Sequence, residues 1–135
     1  MQAAKLSQDI SVSPQLTEDD LKQAATQGFK SVINNRPDGE SPDQPLNTTL
    51  AALAAQLGLD YRHIPLVPGQ LTAAHVAAFK AALGEMKHPI LAFCRSGTRS
   101  ATLWALASAG QQEPEDILRA AAAAGYNLEH LRSQL

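Results

Sequence analysis

Residues 90–100 read Ile90-Leu91-Ala92-Phe93-Cys94-Arg95-Ser96-Gly97-Thr98-Arg99-Ser100, and this stretch decides the fold. Four apolar residues after Pro89 make a short buried strand, and a polar turn containing Gly97 follows. From Thr98 to Ala109, the spacing of Leu103, Trp104, Leu106 and Ala107 is that of a helix, which Gly110 stops. Strand, tight turn and helix in that order are the building step of a parallel α/β sheet.

The same alternation continues outward in both directions. Upstream, Ile10–Val12 reads as a strand, and Thr17 caps a helix that begins with Glu18, Asp19 and Asp20 and ends at Gly28. Phe29–Ile33 is a strand, Asn34–Asn47 a loop rich in proline and glycine, and Ala51–Leu57 a helix closed by Gly58. Leu59–Ile64 is a strand feeding the Pro68-Gly69 turn, and Thr72 caps a helix through about Met86. Downstream, Pro114 opens a helix that runs to Gly125, and Asn127 caps a short final one. The expected architecture is α/β, with a mostly parallel central sheet and helices on both faces. Sites in such sheets lie at the carboxyl ends of the strands, and Cys94 follows the most apolar strand at such an end.

A chain of 135 residues, 44% of them hydrophobic, is the size of one domain with one sizeable core, so residues 1–135 are expected to form a single domain. A net charge of -2 supplies no basic field for a polyanion, which excludes nucleic acid as an expected partner. The first ten residues carry Lys5 and Asp9 and lack an apolar signal core, and no apolar run is long enough to span a bilayer. A cytoplasmic protein with no membrane partner is the expectation. One cysteine allows no internal disulfide, so any sulfur adduct on Cys94 must be resolved by water or by an outside thiol.

A nucleophilic thiol needs partial exposure and a positive surrounding that favours the thiolate. In the Cys94–Arg99 loop, backbone amides can face inward as a nest, the following helix adds its positive end, and Arg99 closes the ring with a planar fork. The same features bind a tetrahedral anion, with Ser96, Gly97 and Thr98 as the cradle. Gly97 lets the backbone bend, Ser100 is expected to donate its hydroxyl to the sulfur, and Arg95 to stand outside and attract substrate. A structural core cysteine is the alternative, but it gives no reason for flanking Arg95, Ser96, Thr98, Arg99 and Ser100. Cys94, Arg99 and Ser100 are therefore the expected catalytic residues.

The Cys94-x-x-Gly97-x-Arg99 spacing resembles the six-residue active-site loop of rhodanese-type sulfurtransferases. With Ser100 it also resembles a shortened protein tyrosine phosphatase signature, in which five residues separate cysteine and arginine; here there are four. Four segments taken together, Ser11–Leu16, Val32–Glu40, Ile64–Gly69 and Leu91–Ser100, resemble the phosphatase-like domain of the beta-lactamase-hydrolase-like proteins across nearly the whole chain. That resemblance implies a dual-specificity or tyrosine-phosphatase-like fold. In some relatives this domain is joined to a metallo-hydrolase domain linked to persulfide oxidation, which makes such a hydrolase a candidate partner. That second domain is absent from this sequence.

Phosphoester hydrolysis through cysteine calls for a general acid, a contribution of roughly 10²–10⁴-fold in rate. In tyrosine phosphatases an aspartate supplies it from the loop after the strand matching Tyr61–Ile64. Here no Asp or Glu lies between Asp60 and Glu85, and Phe93 stands where phosphatases have a histidine before the cysteine. Asp38 is the candidate substitute acid, with Glu40 and Asp43 on the same loop, and Arg36 a candidate second anion contact. The four histidines have no metal-ligand spacing with the cysteine, so neither metal nor cofactor is expected. The leading expectation is transfer of sulfane sulfur through a Cys94 persulfide, from a small anionic or persulfide substrate to an external thiol. Phosphatase activity through a phosphocysteine is the alternative, and a non-catalytic anion-binding or redox-sensing module the second.

Overall fold

The computed structural model describes residues 1–135. Along the chain run β1 (Ala4–Lys5), β2 (Ile10–Ser13), α1 (Glu18–Thr26), β3 (Ser31–Asn34) and α2 (Asn47–Gln56). Then follow β4 (Asp60–His63), α3 (Ala73–Glu85), β5 (Ile90–Phe93), α4 (Thr98–Ser108) and α5 (Pro114–Ala123), with a closing 3-10 turn at Glu129–Gln134. The strands form one sheet in the order β1-β2-β5-β3-β4. All pairings are parallel except β1 with β2, an edge pairing of two residues that the sequence pattern does not announce.

Alternation along the strands sends successive side chains to opposite faces, and each face is covered. Ile10, Val12, Ile33, Ile90 and Ala92 pack with Phe79 of α3, Leu103 and Trp104 of α4, and Ile117 of α5. On the other face Val32, Leu91 and Phe93 pack with Leu21 and Ala24 of α1 and Leu50 and Ala54 of α2. Because β5 is central and completely buried, Cys94 leaves the sheet from its middle.

Register brings the site together. Ser13, Phe93, Asn34 and His63 lie side by side as the last residues of four parallel strands. The segments that follow, beginning at Pro14, Cys94, Asn35 and Ile64, therefore all emerge on one edge of the sheet. Hydrogen bonds knit them: Asn35 N–H donates to Phe93 O (2.8 Å), Leu66 N–H to Asn35 O (3.0 Å) and Gln15 N–H to Arg95 O (3.2 Å).

α2 starts at Asn47, four residues before the expected Ala51. The reason is Asp38, whose carboxylate accepts the Asn47 N–H at 2.8 Å and so satisfies an amide at the start of that helix. No helix is long and apolar enough to cross a membrane.

Candidate active site

Cys94 follows β5 directly, and the chain turns back on it through residues 95–97 before α4 begins at Thr98. Gly97 makes this turn possible: its φ of +94° lies in the left-handed region that a β-carbon disfavours. The turn carries the Gly97 N–H onto the Cys94 sulfur at 3.1 Å. The Thr98 N–H donates to Ser96 Oγ (3.4 Å), which itself donates to Thr98 Oγ1 (3.1 Å). The amides of Arg95, Ser96, Arg99 and Ser100 donate to no protein atom, so the start of α4 keeps the donors that favour an anion.

The expected partial exposure of Cys94 is corrected by the structure: the residue is fully buried. It directly follows the central strand, and the loop that begins with it brings the Gly97 N–H to the sulfur at 3.1 Å. Arg95, Ser96 and Thr98 remain exposed around it.

Arg99 is held by a carboxylate that comes from 59 residues upstream. Its Nη1 donates to Glu40 Oε2 and to Leu66 O, both at 2.8 Å, and its Nη2 donates to Glu40 Oε1 at 2.8 Å. Two donors then remain, the Nε–H and the second Nη2–H, which form the side edge of the guanidinium. Glu40 therefore occupies the end of the fork and leaves a two-pronged edge for another anion. The carboxylate raises the Arg99 pKa further above its ordinary value, and the charge of the nearby Cys94 adds to this.

Arg36 completes the cluster. It is only 4% exposed, and it donates from Nε to Glu40 Oε1 (2.9 Å) and from Nη1 to Gln15 Oε1 (3.0 Å). Its carbonyl accepts from His63 Nε2 at 2.9 Å. Arg36 thus shapes the site through Glu40. One carboxylate between two guanidinium groups leaves one net positive charge next to the sulfur, which stabilises an anion there.

The structure accounts differently for four further candidates. Ser100 is completely buried and donates its hydroxyl to Asn35 Oδ1 at 2.8 Å, not to the sulfur. Asn35 directly follows the neighbouring strand β3, and its amide also donates to Ile64 O (2.9 Å), so the pair ties the ends of β3 and β4 to α4. Asp38, the candidate acid, is engaged with the start of α2. Glu40 is at the site but is held ionised: the hydrogen bonds from Arg99 and then Arg36 lower its pKa against the effect of burial. Asp43 accepts from Ser41 Oγ at 2.8 Å.

Gln15, Asn35 and Tyr126 belong to the site and escape sequence reasoning. Gln15 and Asn35 each follow a strand end, a signal readable only once the parallel pairing is known. The Tyr126 hydroxyl donates to Ser96 O at 3.1 Å from a point 30 residues downstream. No group of three or more His, Cys, Asp or Glu side chains is arranged to hold a metal ion. A cavity of about 190 Å³ adjoins Arg99, walled by Leu66, Pro68, Gly69, Leu71, Thr98 and Thr102.

Residues 3–111 match the family model of the beta-lactamase hydrolase-like protein, phosphatase-like domain. A beta-lactamase hydrolase-like protein of Agrobacterium fabrum is 38% identical over 119 residues, which is 87% of this chain and 28% of that protein. The chain thus spans less than a third of the length of the curated relatives it matches. A candidate phosphatase of Neisseria meningitidis superimposes with a TM-score of 0.87 at 36% identity, covering 99% of this chain and 96% of that one. Tk-PTP in its active form superimposes with a TM-score of 0.70 at 17% identity, over 98% and 92% of the two chains, a likeness of fold alone.

Proposed function

The chain belongs to the family of the phosphatase-like domain of beta-lactamase hydrolase-like proteins, and from that premise we propose that it is a cysteine-dependent phosphatase acting on monoesters with good leaving groups. The observation that carries this reading is the side edge of Arg99, two parallel N–H donors that Glu40 and Leu66 leave free, on a guanidinium close enough to Cys94 for the two to interact. Two parallel donors match two oxygens of a phosphoryl group, and the amides without a protein acceptor at the start of α4 are donors for the third.

The Cys94 thiolate attacks phosphorus, the S–P bond forms, and the P–O bond to the leaving group breaks with its electron pair going to that oxygen. Water then attacks the phosphocysteine, releasing inorganic phosphate and returning the thiolate. The leaving group must tolerate departure without a strong acid, because Glu40 is held ionised and Asp38 is engaged with α2. A phenolate does; an alkoxide does not. The apolar walls beside Arg99 suit an aryl group.

The test compares p-nitrophenyl phosphate with an alkyl phosphate between pH 5 and 8, for the wild type and for Cys94→Ser. Turnover of the aryl ester alone, lost in Cys94→Ser, supports the reading; absence of aryl turnover in the wild type overturns it. The missing acid also favours a second reading, transfer of sulfane sulfur through a Cys94 persulfide to an external thiol, since a sulfur leaving group needs little protonation. Thiosulfate-dependent transfer to cyanide or glutathione, again lost in Cys94→Ser, identifies that activity.

A further inference from the structure

Tyr126 lies beyond the residues that match the family model, and nothing in its sequence neighbourhood marks it. Its position follows from how α5 ends. Gly125 turns left-handed at φ +100°, its N–H donates to Ala122 O (3.0 Å), and the Tyr126 N–H donates back to Ala121 O (2.9 Å). This is a Schellman turn, which delivers the next side chain at a defined angle. The half-buried ring packs against the core on the α4 face of the sheet and ends at the Cys94 loop.

The Tyr126 hydroxyl donates to Ser96 O at 3.1 Å, and the Gly97 N–H, on the other side of the same peptide bond, donates to the Cys94 sulfur at 3.1 Å. A trans peptide is planar with its C=O and N–H pointing in opposite directions, so fixing one end aims the other. The contact is close: a β-carbon added to Gly97 would lie 2.1 Å from the Tyr126 hydroxyl oxygen. Without that hydroxyl, the Ser96 carbonyl loses its donor, and only the bond to the sulfur resists rotation of a peptide next to a left-handed glycine.

We propose that Tyr126 is a positioning residue for the nucleophile, holding the Ser96–Gly97 peptide so that its N–H stays on the Cys94 sulfur. The inference rests on the reading of Cys94 as a nucleophile but on no particular substrate. Burial, with the charge of Cys94 added, pushes the Tyr126 pKa up, so the hydroxyl keeps its proton and remains a donor at neutral pH.

Alkylation of Cys94 by iodoacetamide tests this without any substrate, so a protein inert toward phosphate esters still answers the question. Tyr126→Phe keeps the ring and its packing, and its melting temperature should stay within about 5 °C of the wild type. Its alkylation rate at pH 7 should fall about three- to tenfold. Equal rates at pH 7 in a folded Tyr126→Phe overturn the proposal. A measurement on the wild type needs no variant: the Cζ chemical shift of Tyr126 should change over the pH range in which alkylation rises. A shift indifferent to that range also overturns it.

Discussion

Glu40→Gln tests the electrostatic centre of the site most directly. Three charge-assisted donors converge on the wild-type carboxylate: Arg36 Nε at 2.9 Å and Arg99 Nη1 and Nη2 at 2.8 Å. Glutamine keeps one acceptor oxygen and turns an NH₂ group toward a guanidinium, leaving two arginines facing each other without a counter-charge. Hydrogen bonds to charged groups contribute about 1.5–3 kcal/mol each, against about 0.5–1.5 for neutral ones. Because Glu40 is 20% exposed, water recovers part of the loss, and the net cost is about 2–4 kcal/mol.

For a chain of this size the unfolding entropy is about 0.28 kcal/mol/K, so the melting temperature should fall by about 7–14 °C at pH 7. The pH dependence has a definite sign. The folded pKa of Glu40 lies below its ordinary 4.5, so its stabilisation is complete above that value and fades as pH falls through the folded pKa. Calorimetry of both proteins between pH 3 and 8 should show a full gap at neutral pH that narrows below about pH 4.5. A fall of less than about 3 °C at pH 7, or a gap that does not narrow in acid, would refute the account of Glu40 as the carboxylate that holds the two arginines.

Arg99→Lys replaces a fork by a point charge and should lower kcat/KM on p-nitrophenyl phosphate by at least about 100-fold, read by steady-state kinetics. Ser100→Ala leaves Asn35 Oδ1 without its donor and should cost about 1–2 kcal/mol in denaturant melts, while Cys94 alkylation at pH 7 stays within about twofold. Asp38→Ala removes a carboxylate from the start of α2 and should cost about 0.5–2 kcal/mol, with kcat on the aryl ester within about twofold of the wild type.

How much of this was legible in the sequence depends on the range of each interaction. The loop, its left-handed Gly97 and the helix that starts at Thr98 are local, and the order of residues 90–100 dictates them. The covered parallel sheet is readable too, because the strand-helix alternation admits few other arrangements. Misreadings arose where a side chain had alternatives at different distances. Ser100 sits next to the loop in sequence, yet its hydroxyl goes to Asn35, which only the β3–β5 pairing brings alongside. Asp38 and Glu40 lie two residues apart on one loop, and the path of that loop sends one to α2 and the other to Arg99.

The primary structure by itself determined that a lone cysteine would sit in an amide-rich turn at the carboxyl end of a central strand, because strand, glycine turn and helix cap are each specified within a few residues. Which charges and hydroxyls surround that sulfur was decided only by folding. Glu40, Arg36, Asn35 and Tyr126 reach the site from separate strand ends and a distant helix terminus, and a hydrogen bond between residues tens of positions apart leaves no mark on the local pattern of either.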